Sequence, residues 1–203
     1  MAFTYFFRDL QTLERVVEHV VPYTSGRSRV RVWDAGCAMG QEPYSLAMLF
    51  AENMGHFAFK NLRIHATDLD DCSLFGDIVC TGLYQEEDVK RMPRELLDRY
   101  FQPDGKAGYF RISELLRSRI QFQKHDLLSL RSIGDGFSLI VCKNVLLHFQ
   151  YAERVEVIRM FHSSLAPGGF FATEQTQKMP GETVHLFEKV SGDTQLFRKI
   201  EGL

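Results

Sequence analysis

The segment with the clearest chemical meaning in this chain is Asp34-Ala35-Gly36-Cys37-Ala38-Met39-Gly40. It follows Val30-Arg31-Val32-Trp33, an alternating run that reads as a strand, and precedes a helix expected from about Glu42 to Met54. Glycines at a strand-to-helix turn let the backbone approach a ligand closely. The pattern is D-x-G-x-x-x-G, with Ala38 standing where a pyrophosphate-binding turn needs its second glycine. A ligand without phosphates suits such a turn better.

Asp68 sharpens that reading. It closes the next strand, Leu62-Arg63-Ile64-His65-Ala66-Thr67, at the end where ribose hydroxyls rest in nucleoside-binding α/β folds. A carboxylate there accepts hydrogen bonds from both hydroxyls of an unphosphorylated ribose. The same position would also suit an N-cap for a helix beginning near Asp70. Glu42 is either a favourable first-turn charge or a group facing the ligand. Phe137-Ser138-Leu139-Ile140-Val141-Cys142 is nearly all apolar, as a central strand covered on both faces would be. It delivers Lys143-Asn144-Val145 to the switch-point rim, where Asn144 offers a donor and an acceptor to a zwitterionic amino-acid group or serves as a loop cap. The amino-acid end of S-adenosylmethionine is one such phosphate-free ligand.

The elements that must position these groups alternate in type. Leu10, Leu13, Val16, Val17, Val20 and Val21 recur at helical spacing, predicting a helix over 9–21 with Asp9 as N-cap and Pro22 as its stop. Strand, glycine turn, helix, strand and acidic residue then form a βαβ unit, which implies a parallel sheet with right-handed crossovers. Residues 84–102 read as two short helices split by Pro93. Gly108–Ile112 and Ile120–Gln123 read as strands, a helix is expected from about Tyr151 to Leu165, and Phe170–Thr173 is a strand. Weaker strand candidates lie at Val184–Val190 and Gln195–Ile200. No repeat or linker divides the chain, so residues 1–203 are read as one domain, with an N-terminal motif and helix over 1–22.

Composition narrows the class. With 24 basic and 26 acidic residues the formal net charge is −2, so there is no overall basic field for nucleic-acid binding. The basic clusters Arg27, Arg29, Arg31 and Lys90, Arg91, Arg94 read as solvated faces. The four cysteines, Cys37, Cys72, Cys80 and Cys142, are widely spaced and predict neither a metal site nor a disulfide framework. The absence of a leader pattern and of a long apolar run predicts a cytoplasmic protein without membrane insertion.

Ala35-Gly36-Cys37-Ala38-Met39-Gly40-Gln41-Glu42-Pro43-Tyr44-Ser45 resembles the A-G-C-x-x-G-E-E-P-Y-S signature of CheR-type chemoreceptor glutamate methyltransferases. Ala66–Asp70, Phe137–Leu146 and Leu165–Gly169 agree in order and spacing, and Thr4–Asp9 is similar to the family's T-x-F-F-R element. Gly82–Tyr84 and Leu96–Phe101 match its middle region. The resemblance covers nearly the whole chain. It implies an α/β fold of the class I methyltransferase, Rossmann-like type: a seven-stranded, mostly parallel sheet with helices on both faces, an antiparallel final strand and a small β-rich insertion around residues 105–123. It further implies that S-adenosylmethionine is held by Thr4, Arg8, Gly36, Glu42, Asp68, Asp126, Leu127, Asn144 and Val145. The methyl acceptor would be a glutamate in the cytoplasmic domain of a chemoreceptor, and S-adenosylhomocysteine the second product.

Such chemistry asks little of the protein. A glutamate of ordinary pKa about 4.3 is ionised at neutral pH, so no general base is required; alignment in a water-poor pocket suffices. The planar fork of Arg8 suits a carboxylate. His148 stands in Asn144-Val145-Leu146-Leu147-His148-Phe149 where the family carries tyrosine, and it joins Arg8 as a candidate catalytic residue. Ala2 stands for a family asparagine, Gln41 for the first glutamate of G-E-E-P, and Glu174-Gln175-Thr176 where H-S-E is common. The family's N-terminal helical domain, which contributes to receptor docking, has no counterpart in the resemblance. These departures leave two other readings open: a weakly active module sensing S-adenosylmethionine or its product, and a methyltransferase for another protein or small molecule.

Overall fold

The computed structural model describes residues 4–201. A seven-stranded sheet runs in the order β6-β2-β1-β7-β8-β10-β9. The parallel frame is β1 (Val30–Ala35), β2 (Leu62–Asp68), β6 (Ile120–Lys124), β7 (Phe137–Val141) and β8 (Leu165–Thr173). β10 (Gln195–Lys199) returns antiparallel to β8, and β9 (Phe187–Lys189) antiparallel to β10. The chain leaves β1 toward β2 on one side and places β7 on the other, so a switch point opens above β1 and β7, where ligands of open α/β sheets gather.

Strand alternation assigns the two faces. Val30, Val32, Leu62, Ile64, Leu139 and Val141 pack with α1 (Leu10–Thr24) and α2 (Gln41–Asn53) in one core. Trp33, Ile140, Cys142 and Phe171 pack on the other face with Val157, Ile158 and Phe161 of α8 (Tyr151–Ser164). The continuous apolar run of β7 thus serves both cores, and all five of its residues are buried. The Trp33 indole N–H donates to Thr67 Oγ1 at 2.9 Å, so its one polar atom is satisfied. On the α8 face the crossover from β6 to β7 carries a single 3-10 turn, Leu127–Ser129, where a doubly wound fold would lay a helix.

Five expectations need correction. α1 runs through Pro22 to Thr24, because the proline falls in the last turn and Thr24 Oγ1 donates to the Val20 carbonyl at 2.8 Å. Asp9 makes no side-chain cap; its backbone sits at φ 55° and its carboxylate turns toward Lys143. The helix expected from Asp70 is α4 (Phe75–Thr81), which follows the short α3 (His56–Phe59). Asp70 reaches it from a distance, accepting from the N–H groups of Leu74 and Phe75 at 3.0 Å.

The insertion expected around 105–123 is displaced toward the N-terminus. It is a three-stranded antiparallel sheet of β3 (Leu83–Gln85), β5 (Tyr109–Ile112) and β4 (Phe101–Pro103), in the order β3-β5-β4. α5 (Glu86–Val89) and α6 (Arg94–Tyr100) lie between β3 and β4, separated at Pro93 as the sequence predicts. α7 (Glu114–Arg117) leads out to β6, which belongs to the main sheet. The 3-10 turn Val184–Leu186 shortens the strand expected at 184–190 to β9.

Candidate functional site

A cleft of about 640 Å³ opens over the carboxyl ends of β1, β2, β6 and β7. Every candidate named from the sequence lines it: Thr4, Arg8, Gly36, Glu42, Asp68, Asp126, Leu127, Asn144, Val145 and His148. Ala2 lies outside the described residues. The cleft also takes wall from Cys37, Ala38, Leu69, His125, Leu147 and Phe149, which the sequence reading did not single out.

The glycine turn is built for close approach. Gly36 sits at φ 100°, and a Cβ there would meet Val145 Cγ2 at 2.1 Å. Its N–H and that of Cys37 donate to the Thr67 carbonyl at 2.7 and 3.0 Å, tying the turn to β2. Ala38 is left-handed at φ 45°, which aims its N–H at Asp68 Oδ2, 2.9 Å away. Asp68 Oδ1 accepts from the Asp70 N–H at 3.2 Å. The carboxylate therefore faces back across the glycine turn and does not cap α4, which removes one of its two sequence readings. A carboxylate offers about four lone-pair directions, so these two bonds orient Asp68 and leave it acceptor capacity.

Beneath the turn lies a buried charge cluster. The Lys143 side chain is fully buried, with Nζ 3.1 Å from Glu42 Oε2 and 3.6 Å from Asp9 Oδ2. Nζ also donates to the Arg8 carbonyl at 3.1 Å. Glu42 thus faces the cleft and pairs with a buried ammonium. Asp34 is fully buried, and among the described residues neither of its oxygens has a hydrogen-bond partner. Burial first, then Glu42 and Asp68, push its carboxyl well above the ordinary range, against the pull of Lys143. Burial raises Glu42 too, offset in part by Lys143 and Arg8. Acids outnumber cations on this floor, so it favours a cationic head group. The Cys37 thiol, pushed up by burial and then by Asp34 and Asp68, stays protonated and is no nucleophile.

Across the cleft, Asn144 is held left-handed at φ 60°. Its N–H donates to Glu174 Oε2 at 2.8 Å, and its Oδ1 accepts from the Arg8 guanidinium at 2.8 Å. Glu174 is buried, and Thr173 Oγ1 donates to the same oxygen at 2.8 Å. Glu174 and Lys143 are the positioning residues that sequence reasoning missed as such. Their signal was placement: each follows a central strand at its carboxyl end. Asp126 caps the 3-10 turn by accepting from the Leu128 N–H at 2.8 Å, while Leu127 is buried. His148 ends the rim turn Leu146–His148 and is exposed, while Leu146 is buried.

The family described as "CheR methyltransferase, SAM binding domain" matches residues 2–196. The chain belongs to this family. It is 33% identical over 192 residues to the chemotaxis protein methyltransferase Cher2 of Pseudomonas putida, spanning 90% of this chain and 68% of that protein. It is also 33% identical over 192 residues to chemotaxis protein methyltransferase 1 of Pseudomonas aeruginosa, spanning 87% of this chain and 67% of that one. Among solved structures it superposes on the rRNA methyltransferase AviRa of Streptomyces viridochromogenes, with a TM-score of 0.54 and 15% identity, over 97% of this chain and 86% of that one. Magnesium protoporphyrin IX methyltransferase of Synechocystis, solved with bound SAM, gives a TM-score of 0.52 and 15% identity, over 96% and 80%. These two likenesses concern the fold, which is that of class I methyltransferases. The CheR-family domain is accordingly an S-adenosylmethionine-dependent methyltransferase domain. Among the described residues no helix is long and apolar enough to cross a membrane, and no group of three His, Cys, Asp or Glu side chains could hold a metal ion.

Proposed function

We propose that this domain transfers the methyl group of S-adenosylmethionine to a glutamate side chain in the cytoplasmic domain of a chemoreceptor or related signalling protein, and that it works in the cytoplasm. The observation that carries the reading is the convergence of three surfaces on one cleft, two acidic and one basic: the Asp68 carboxylate, the acid-rich floor at Glu42, and the Arg8–Asn144 pair.

The residues present fit an adenosyl amino acid. A cleft of about 640 Å³ falls in the size range of small-ligand sites. Asp68 would accept the ribose hydroxyls, and the side chain of Leu127 with the turn at Asp126 would flank the base. Glu42 and the floor beneath Gly36 would face the ammonium, and Val145 and Asn144 would close the amino-acid end. Thr4 and Arg8 would close the cleft from the N-terminal segment. Bound there, S-adenosylmethionine supplies a methyl carbon activated by a sulfonium: a carboxylate oxygen bonds that carbon as the carbon–sulfur bond breaks, and the electron pair stays on sulfur.

The protein's part is orientation and exclusion of water. Arg8 is anchored by Asn144 and brings a guanidinium to the cleft, where its planar donors suit the acceptor carboxylate. His148, exposed at the rim, would donate a hydrogen bond to the same group. No side chain needs to remove a proton, because the acceptor is already ionised at neutral pH.

The test is incubation of the purified domain with methyl-labelled S-adenosylmethionine and a chemoreceptor cytoplasmic domain, followed by mild alkali. Base-labile label released as methanol is the expected result. Saturating ligand binding without transfer would overturn the enzymatic reading in favour of a sensor module, which the histidine at position 148 makes the competing reading. Base-stable label would assign a different acceptor.

A further inference from the structure

At the opposite end of the same strands lies a second, shallower groove of about 510 Å³, lined by Arg29, Arg31, Lys60, Arg63, His65 and Gln121. Its floor is the sheet face that the β6-to-β7 crossover leaves without a helix. Val30, Val32, Leu62 and Ile64 point into the core shared with α1 and α2, so Arg31, Arg63 and His65 point the other way.

The arrangement of these cations is unfavourable in the isolated chain. Arg31 and Arg63 are register partners on β1 and β2. Arg119 sits in the turn just before β6, and its carbonyl accepts from the Ile64 N–H at 2.8 Å, which brings it alongside Arg63. Three arginines thus form one row, two on adjacent strands and the third in the turn that enters the next, and like charges directly opposite destabilise a sheet. Carboxylates do not offset them. Among the described residues, the only one within 4.0 Å of Arg29, Arg31, Lys60, Arg63 or Arg119 is Asp135, 3.9 Å from Arg31 and 98% exposed. The guanidiniums rest on neutral groups. Arg63 donates to the Leu62 and Lys60 carbonyls at 2.7 and 3.1 Å, and Arg119 to the Lys60 carbonyl at 2.6 Å. Arg31 lies 4.4 Å from the centroid of the Phe137 ring. Burial and then Arg31 push the His65 imidazole down, and burial and then Arg63 push down Arg119, as a positive local potential requires. In a chain with two more acids than bases, this concentration of uncompensated cations is local and specific.

We propose that this face docks an acidic helical segment of a protein partner, laid where the fold supplies no helix of its own. Adjacent strands are about 4.8 Å apart, so the arginine row repeats at close to the roughly 5–6 Å between side chains at i and i+3 or i+4 on a helix. The groove offers guanidinium, ammonium, amide and imidazole groups and little apolar surface, which matches a carboxylate-rich helix face and not a greasy one. That the segment belongs to the methyl-accepting protein rests on the reading of the cleft given above; the docking itself does not.

The test is fluorescence anisotropy with a labelled peptide of about twenty residues carrying glutamates at helical i, i+4 spacing, at about 25 mM salt where screening is weak. Binding should weaken at least about tenfold in Arg63→Glu/Arg119→Glu and also on raising the salt to about 300 mM. Arg63→Gln/Arg119→Gln, which keeps the polar face, should lose part of the affinity. S-adenosylhomocysteine affinity should stay unchanged in both variants, which also shows that they fold. Absent peptide binding at low salt, equal binding by parent and variants, or tighter binding of a single-stranded oligonucleotide or tripolyphosphate of matched charge would overturn the proposal. Any of these results with S-adenosylhomocysteine binding intact leaves the cleft's function standing, whereas loss of nucleoside binding by the parent would strike the cleft alone.

Discussion

The two ends of one sheet hold opposite charge in opposite ways. Over the carboxyl ends of β1, β2 and β7, acids are gathered around one buried ammonium, and the Asp34 oxygens accept no hydrogen bond from the described residues. Over the amino ends, arginines are gathered on backbone carbonyls and an aromatic ring, open to solvent on one side. A buried charge imbalance costs several kcal/mol unless something pairs with it, while a solvated one is screened to a fraction of that. The first end is therefore poised for a ligand that enters and neutralises it. The second tolerates an empty face and gains only when a partner arrives.

Substitutions at each end test this contrast, and the largest effect belongs to Lys143. Lys143→Met strands Glu42 and Asp9 without their cation and should cost about 3 to 5 kcal/mol of stability, read as a fall in Tm of roughly 10 °C by calorimetry. A Tm within about 2 °C of the parent would show that the acid floor is not buried as described. Next is Gly36→Ala. Its new methyl meets Val145 Cγ2 at 2.1 Å with the backbone at φ 100°, so S-adenosylhomocysteine affinity should drop about a hundredfold, equivalent to about 2.7 kcal/mol. Retained affinity would move the ligand away from the turn.

Asp34 gives a pH signature. Its carboxyl is raised by burial, so between the unfolded carboxylate range near pH 4 and its higher folded value the native chain holds the extra proton. Stability is then greatest below the unfolded value and is lost as pH rises toward the folded one. Asp34→Asn removes that proton difference. Its denaturation midpoints should fall less steeply than those of the parent as pH rises above the unfolded carboxylate range. An identical slope would assign the loss of stability with rising pH to Glu42 instead. The smallest effect is at the other end: Arg63→Gln relieves the like-charge contacts with Arg31 and Arg119 and should change stability by no more than about 0.5 kcal/mol, in the favourable direction at low salt. A loss several times larger would mean that the row is structural.

Much of this was legible before any coordinates. The βαβ frame and the glycine turn announce themselves because apolar runs and glycines are local signals, and Asp68 and Asn144 follow from ending their strands. The three-stranded insertion was misplaced because β3 and β4 are three residues each, too short to show a period, and because the polar β6 lies at the sheet edge. Pro22 and Asp70 misled for a related reason: a helix tolerates proline in its last turn, and a carboxylate can cap a helix from five residues away. The pairing of Glu42 with Lys143, and of Glu174 with Asn144, joins residues far apart in the chain that only the fold brings together. Periodicity carries no record of such pairs. Of the arginine row, only Arg31 stands in a basic run of the sequence, Arg27, Arg29 and Arg31, because Arg63 comes from β2 and Arg119 from the turn before β6.

The central claim is that an unphosphorylated adenosyl amino acid sits between the glycine turn and Asp68. Titration calorimetry of S-adenosylhomocysteine into the parent and Asp68→Ala tests it most directly. The account predicts measurable binding by the parent and at least about tenfold weaker binding by the variant, from the loss of charge-assisted hydrogen bonds. Equal affinity in the two proteins, or a parent that binds a pyrophosphate dinucleotide in preference, would contradict it.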